Sequence, residues 1–240
     1  TPTDEVIFTA SGGEVVQPIR TVLPVEAGGG QLFVMPAASR SLGCYGAKLI
    51  SLTPANSGKG LPTIRGDYLL FESDTGAAVA LIDAASLTAI RTAAASGLAT
   101  RLLARPEATT CGILGTGVQA TTHVEAMRAV RPIREIRIWG RDAEKAHRLA
   151  QELKASTGLV VNAHVDPATV AACDLVCTVT AAGEPILKGD WVRPGAHVNL
   201  VGAHRLTQRE ADTELVRRSL VFVDLLAAAQ GYPARHGAIL

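Results

Sequence analysis

An apolar strand that runs straight into a glycine turn and then a helix constrains this chain more than any other feature. Cys111-Gly112-Ile113-Leu114 is followed by Gly115-Thr116-Gly117-Val118-Gln119-Ala120, a G-x-G-x-x-A turn between a strand at 110–114 and a helix at 118–130. In such a turn the first glycine permits the tight bend, and the second lets the backbone approach a pyrophosphate. The small third residue, here Ala120, lets the helix pack close to the strand. Amides at the helix N-terminus then face the phosphates. A second strand at 135–139 and a helix at 143–155 complete a strand-helix-strand unit of suitable length. That context predicts a dinucleotide site that uses Gly115, Thr116, Gly117, Val118 and Gln119.

The end of the second strand bears on which dinucleotide binds. Trp139-Gly140-Arg141-Asp142 puts a guanidinium ahead of a carboxylate. A domain for NAD usually places an acidic residue here against the ribose hydroxyls, whereas Arg141 suits a 2′-phosphate. Asp142 either reaches the ribose or caps the helix that opens at Ala143. The reading is NADP(H) in preference to NAD(H), with Gly140, Arg141 and Asp142 in the site.

Upstream, the texture of the chain differs. Residues 15–25, 31–36, 47–52, 67–72 and 78–82 read as strands, separated by turn material such as Ser73-Asp74-Thr75-Gly76. An alanine-rich helix is expected over 84–104, ended by Arg105-Pro106-Glu107, the expected domain boundary. Beyond it, strands at 110–114, 135–139, 159–163, 175–180, 197–201 and 220–223 alternate with helices, including a short one at 167–172. Strands apolar on both faces, alternating with helices, imply a parallel sheet covered on both sides. The expected fold is α/β: a Rossmann-type doubly wound parallel sheet at 107–224, plus a smaller α+β substrate-binding and dimerisation domain at 1–106 that residues 225–240 could complete. The chain opens on Thr1 and loses strong periodicity after Asp224, so a longer or discontinuous parent chain is expected.

Composition narrows the class. With 48% hydrophobic and 19% charged residues, the chain can bury a core and is not disordered. A net charge of +1 gives no general attraction to nucleic acid or anionic membranes. No apolar run reaches the roughly 18 residues that span a bilayer. Cys44, Cys111, Cys173 and Cys177 are scattered, and no second ligand pair accompanies Cys173 and Cys177. Reduced thiols rather than a metal site are therefore expected, and with them a cytoplasmic location.

Further motifs carry a family resemblance. Ala89-Ile90-Arg91-Thr92-Ala93-Ala94-Ala95-Ser96, the glycine turn, Arg137-Ile138-Trp139-Gly140-Arg141, Glu184-Pro185-Ile186-Leu187 and Trp191-Val192-Arg193-Pro194-Gly195-Ala196-His197-Val198-Asn199 resemble the ornithine cyclodeaminase/mu-crystallin family. The resemblance implies a two-domain homodimer. Members include ornithine cyclodeaminase, alanine dehydrogenases and reductases of cyclic ketimines. Arg20, Lys48 and Arg91 match the family's substrate-carboxylate positions. Each is also a lone cation in an apolar segment that needs an anion, either a substrate carboxylate or an internal partner such as Asp67 or Asp83.

One departure matters. Where ornithine cyclodeaminase looks like Gly-Gly-Asp after the strand at 197–201, this chain has Gly202-Ala203-His204. The resemblance then implies an NAD(P)H-dependent reductase of Δ1-pyrroline-2-carboxylate or Δ1-piperideine-2-carboxylate, with a small cyclic imino acid or amino acid as partner. Ornithine cyclodeaminase, an amino-acid dehydrogenase and a non-catalytic carrier of the mu-crystallin type are the alternatives. Lys48, Arg91 and His204 are the catalytic candidates, with Lys48 or His204 as proton donor. Thr180 and Val201 are placed at the nicotinamide pocket. Asp83 either orients Arg91 or caps the long helix, and His123 is expected in packing or at the surface.

Overall fold

The computed structural model describes residues 14–18, 20–25, 29–203 and 208–223. It falls into two compact units, Thr1–Arg91 and Thr92–Leu240. The division lies inside the long helix, and the turn at 105–107 follows that helix's end.

The first unit is an antiparallel sheet of β1 (Val15–Val16), β2 (Thr21–Val25), β3 (Gly30–Ser39), β4 (Cys44–Leu52), β5 (Ile64–Glu72) and β6 (Ala78–Asp83). The order is β1-β3-β4-β5-β6, with β2 also on β3. Residues 15–25, expected as one strand, are two. Val16 lies opposite Ala38 and Thr21 opposite Val34, so the chain between β1 and β2 is one residue longer than the stretch of β3 between their partners. Pro18 lies in that bulging stretch and has no amide to give to a ladder.

Register sorts the side chains into two faces. Met35, Lys48, Tyr68 and Ile82 are successive partners across β3 to β6, so they share one face. The alternate rows, with Tyr45, Leu49 and Leu81, share the other.

The helix α1 (Ala84–Leu103) follows β6 directly. Asp83 caps it, its Oδ1 accepting from the Ser86 amide at 2.7 Å. At the other end, the Arg131 guanidinium donates to the carbonyls of Thr100, Arg101, Ala104 and Arg105. A cation there meets the negative end of the helix and satisfies its last carbonyls.

The second unit is a five-stranded parallel sheet in the order β11-β10-β7-β8-β9. Its strands are β7 (Thr110–Leu114), β8 (Glu135–Trp139), β9 (Val160–Ala163), β10 (Leu175–Thr178) and β11 (His197–Leu200). Its helices are α2 (Val118–Val130), α3 (Ala143–Thr157), α4 (Pro167–Ala171) and α5 (Thr213–Arg217). Two buried clusters mark two covered faces. Cys111, Ile113 and Cys177 pack with Val124 of α2 and Leu153 of α3, while Leu114 and Val176 pack with Val170 of α4 and Leu215 of α5. The doubly wound arrangement follows directly. Residues 220–223, expected as a strand, form only a single-residue bridge at Phe222, and Leu220 is exposed.

Two buried histidines give this unit a pH limit. His123 Nδ1 lies 2.8 Å from the Gln119 carbonyl and its Nε2 lies 3.0 Å from Ser96 Oγ. A carbonyl only accepts, so Nδ1 carries the proton and Nε2 accepts from the serine hydroxyl. Burial pushes the pKa of both His123 and His197 down to about 4 from 6.5. Between those values the unfolded chain binds more protons, so stability is full above about pH 6.5 and lost as pH falls toward 4. Each histidine accounts for up to about 3 kcal/mol. Urea unfolding at about pH 7 and about pH 4.5 is expected to show a fall of several kcal/mol; equal midpoints would contradict the burial.

Candidate active site

The glycine turn sits at the C-terminal end of β7, where the strand order reverses: β8 and β9 lie on one side, β10 and β11 on the other. Such a switch point opens a crevice beyond the strand ends. Gly115 adopts φ 136°, and a Cβ there would fall 2.7 Å from the Val179 carbonyl oxygen. Only glycine fits both demands. Gly117 is the N-cap of α2, brings no capping side chain and has open space beside its Cα. Thr116 is half-buried, Val118 is 72% exposed, and Gln119 gives its carbonyl to His123. A pyrophosphate approaching the backbone at a helix N-terminus fits this arrangement.

At the end of β8, Gly140 lies so close to Thr116 that a Cβ would meet its Cγ2 at 2.6 Å. Arg141 is exposed and makes no side-chain hydrogen bond or ion pair among the described residues. Asp142 caps α3, accepting from the Lys145 amide at 3.0 Å, and that bond holds its carboxyl below the usual range. The cap is formed. Across the crevice, Thr180 gives both its amide and its hydroxyl to Glu210, and Val201 donates its amide to the Thr178 carbonyl at 3.0 Å. His204 lies outside the described residues.

The first unit gathers charge instead of backbone dipoles. Half-buried Lys48 donates from Nζ to Thr88 Oγ1 at 3.2 Å, and Thr88 donates to the Ala84 carbonyl at 2.6 Å. Arg20 is one residue before β2, and Arg91 is one turn beyond Thr88 on α1. Burial first, then Arg91, then Arg20, lower the Lys48 pKa to about 8 from 10.5. Arg91 and Arg20 thus both lie within electrostatic reach of Lys48. Both charges that shift Lys48 are positive. Asp83 is committed to Ser86. A carboxylate is the ligand that forked guanidinium groups and an ammonium together suit.

Three residues of these sites escaped sequence reasoning: Thr88, Val179 and Glu210. Thr88 is legible one turn before Arg91 once that arginine is singled out. Val179 is one apolar residue at a strand end, and Glu210 is a lone carboxylate in a loop, so neither carries a local signal.

Comparison with known proteins decides the family. The model of the ornithine cyclodeaminase/mu-crystallin family matches residues 3–234. The chain belongs to the ornithine cyclodeaminase/mu-crystallin family. A ketimine reductase mu-crystallin of Mus musculus is 40% identical over 217 residues, covering 90% of this chain and 68% of that protein. A Thermococcus litoralis Δ1-pyrroline-2-carboxylate reductase, solved with NADH and L-proline, is 34% identical with a TM-score of 0.85, covering 90% of this chain and 68% of that one. An archaeal alanine dehydrogenase dimer with bound NAD is 30% identical with a TM-score of 0.88, covering 98% and 70%.

Within this family member the cation cluster makes a direct prediction. A carboxylate favours the charged ammonium, so it raises the Lys48 pKa. NMR titration of the Lys48 side chain is expected to show a midpoint of about 8 in the free protein, moving upward on addition of a small carboxylate. A midpoint near the ordinary 10.5 would mean that the cations do not act on one another.

Proposed function

We propose that the protein is an NAD(P)H-dependent reductase of a cyclic ketimine carboxylate, Δ1-pyrroline-2-carboxylate or Δ1-piperideine-2-carboxylate, yielding proline or pipecolate. The observation that carries this reading is Lys48, a half-buried ammonium 3.2 Å from Thr88 Oγ1 and acted on by the charges of Arg91 and Arg20. The relative solved with NADH and L-proline supports a cyclic amino acid as product. Residues 1–106 then hold substrate and 107–224 the dinucleotide, at Gly115 to Gln119 and Gly140 to Asp142.

In this mechanism Arg20 and Arg91 fork the substrate carboxylate and fix the C=N carbon. Such positioning can contribute on the order of 7–11 kcal/mol in favourable cases. Lys48 donates a proton to the imine nitrogen, and solvent restores it. With a pKa of about 8 it stays charged at neutral pH yet releases its proton more readily than an ordinary lysine. The dinucleotide, when bound, supplies the hydride to the imine carbon, so one proton and one hydride convert C=N to CH–NH. Arg141, exposed and without an ion pair among the described residues, supports NADP(H) ahead of NAD(H).

A homodimer is part of the reading. Tyr45, Leu49 and Leu81 lie on the sheet face opposite Lys48 and are 39%, 44% and 70% exposed, the kind of apolar face that a second copy covers. The free thiols Cys44, Cys111, Cys173 and Cys177 suit a reducing compartment such as the cytoplasm.

NADPH oxidation against a panel of five- and six-membered cyclic imines tests the proposal. Turnover with kcat/KM falling above about pH 8, where free Lys48 loses its proton, is expected. Lys48→Met is expected to lower kcat about 100-fold or more, and Arg91→Met to raise KM for the imine. Dinucleotide binding without turnover of any imine would point to a carrier; ammonia release from ornithine would point to cyclodeamination.

A further inference from the structure

We propose that Glu210 is a positioning residue for the nicotinamide end of the dinucleotide, an inference that rests on the dinucleotide reading above. Glu210 is 2% exposed, and its carboxylate accepts four hydrogen bonds. Oε2 takes the Thr178 hydroxyl at 2.8 Å and the Gly202 amide at 2.6 Å; Oε1 takes the Thr180 amide at 2.8 Å and its hydroxyl at 2.7 Å. These donors belong to the ends of two strands, β10 and β11. One carboxylate therefore cross-links the C-terminal edge of that half of the sheet.

Glu210 is itself held from behind. Its carbonyl oxygen accepts from the amides of Ile186 and Leu187, each at 2.9 Å. The clasp is also closed in front: a Cβ on Gly202 would fall 1.9 Å from the Thr180 carbonyl oxygen and 2.6 Å from Glu210 Oε1. A buried carboxylate with four donors on it has no second arrangement of equal quality, so Thr180 and Gly202 are fixed relative to each other.

The position of this clasp gives it a function. The glycine turn receives the pyrophosphate at the end of β7, and Gly140 to Asp142 take the adenosine ribose at the end of β8. The other half of the dinucleotide must then run the opposite way across the switch point, toward β10 and β11. Val179, between the two clasped threonines, is the residue whose carbonyl lies against Gly115. Glu210 thus sets the wall against which the nicotinamide lies while touching none of the adenosine half.

The test compares NADPH with 2′-phospho-ADP-ribose, which lacks only the nicotinamide ring, in titration calorimetry. Glu210→Gln puts an amide N–H against donor groups and is expected to weaken NADPH about tenfold. Affinity for 2′-phospho-ADP-ribose is expected to stay within about twofold of the unaltered protein. Thr178→Val removes one donor at nearly constant volume and guards against misfolding of the first variant; it is expected to shift NADPH alone by a few-fold. Equal weakening of both ligands, or no change in either, would overturn the role. An unaltered protein that binds neither ligand would overturn the dinucleotide reading itself, and the role of Glu210 with it.

Discussion

The reversal of strand order at β7 is the constraint on which the rest of the second unit depends. Parallel strands need cover on both faces, and β7 shows it residue by residue. Ile113 is buried in the cluster with α2 and α3, and its neighbour Leu114 in the cluster with α4 and α5. A slip of one residue would exchange those faces and bury nothing correctly. The core therefore fixes where β7 ends, and with it where Gly115 bends the chain. The glycine turn is not free to drift along the sheet edge. Its closeness to Val179 then ties the end of β7 to β10, the neighbour on the far side of the switch point.

The first unit meets its proposed ligand by a different principle. Backbone amides at a helix end attract an anion without any titration, whereas a group of like charges does so because it is unfavourable alone. Sheet register places Lys48 in the row of Met35 and Tyr68, Arg20 stands one residue before β2, and the helix supplies Thr88 to hold the ammonium and Arg91 to add charge. Partial exposure and the threonine hydroxyl make the repulsion tolerable. Anion binding and protonation of Lys48 are consequently linked: whichever favours one favours the other by the same free energy. On the proposed mechanism, a substrate carboxylate would thereby prepare the proton that its own imine nitrogen requires.

Much of this was legible in the sequence, for identifiable reasons. The glycine turn, the alternation after residue 107 and the long alanine-rich helix are local patterns, and the strands and helices from β7 to α4 fall where those patterns put them. The three cations were legible singly; that they act on one another required the pairing of strands far apart in the chain. Residues 15–25 misled because their apolar character continues through Pro18, while the hydrogen-bond ladder cannot. Residues 220–223 misled differently: their β-branched and aromatic character suits a strand, yet among the described residues only Phe222 forms a bridge. Glu210 was not legible at all. Its importance lies in four donors drawn from positions 178, 180 and 202, and no spacing near residue 210 announces them.

Asp142 and Arg141 show how one local commitment bears on specificity. An acidic residue at the end of the second strand has two uses, the ribose hydroxyls and the following helix. Here Oδ1 accepts from the Lys145 amide, and Oδ2 lies 3.8 Å from the Lys145 ammonium. The carboxylate is thus drawn toward α3, and part of its charge is offset there. A 2′-phosphate at this strand end would face less repulsion than an uncommitted aspartate would impose. Arg141 adds attraction that ribose hydroxyls would use poorly. Discrimination between two ligands is a difference of affinities, and on the proposal above both terms of that difference would favour the phosphorylated dinucleotide.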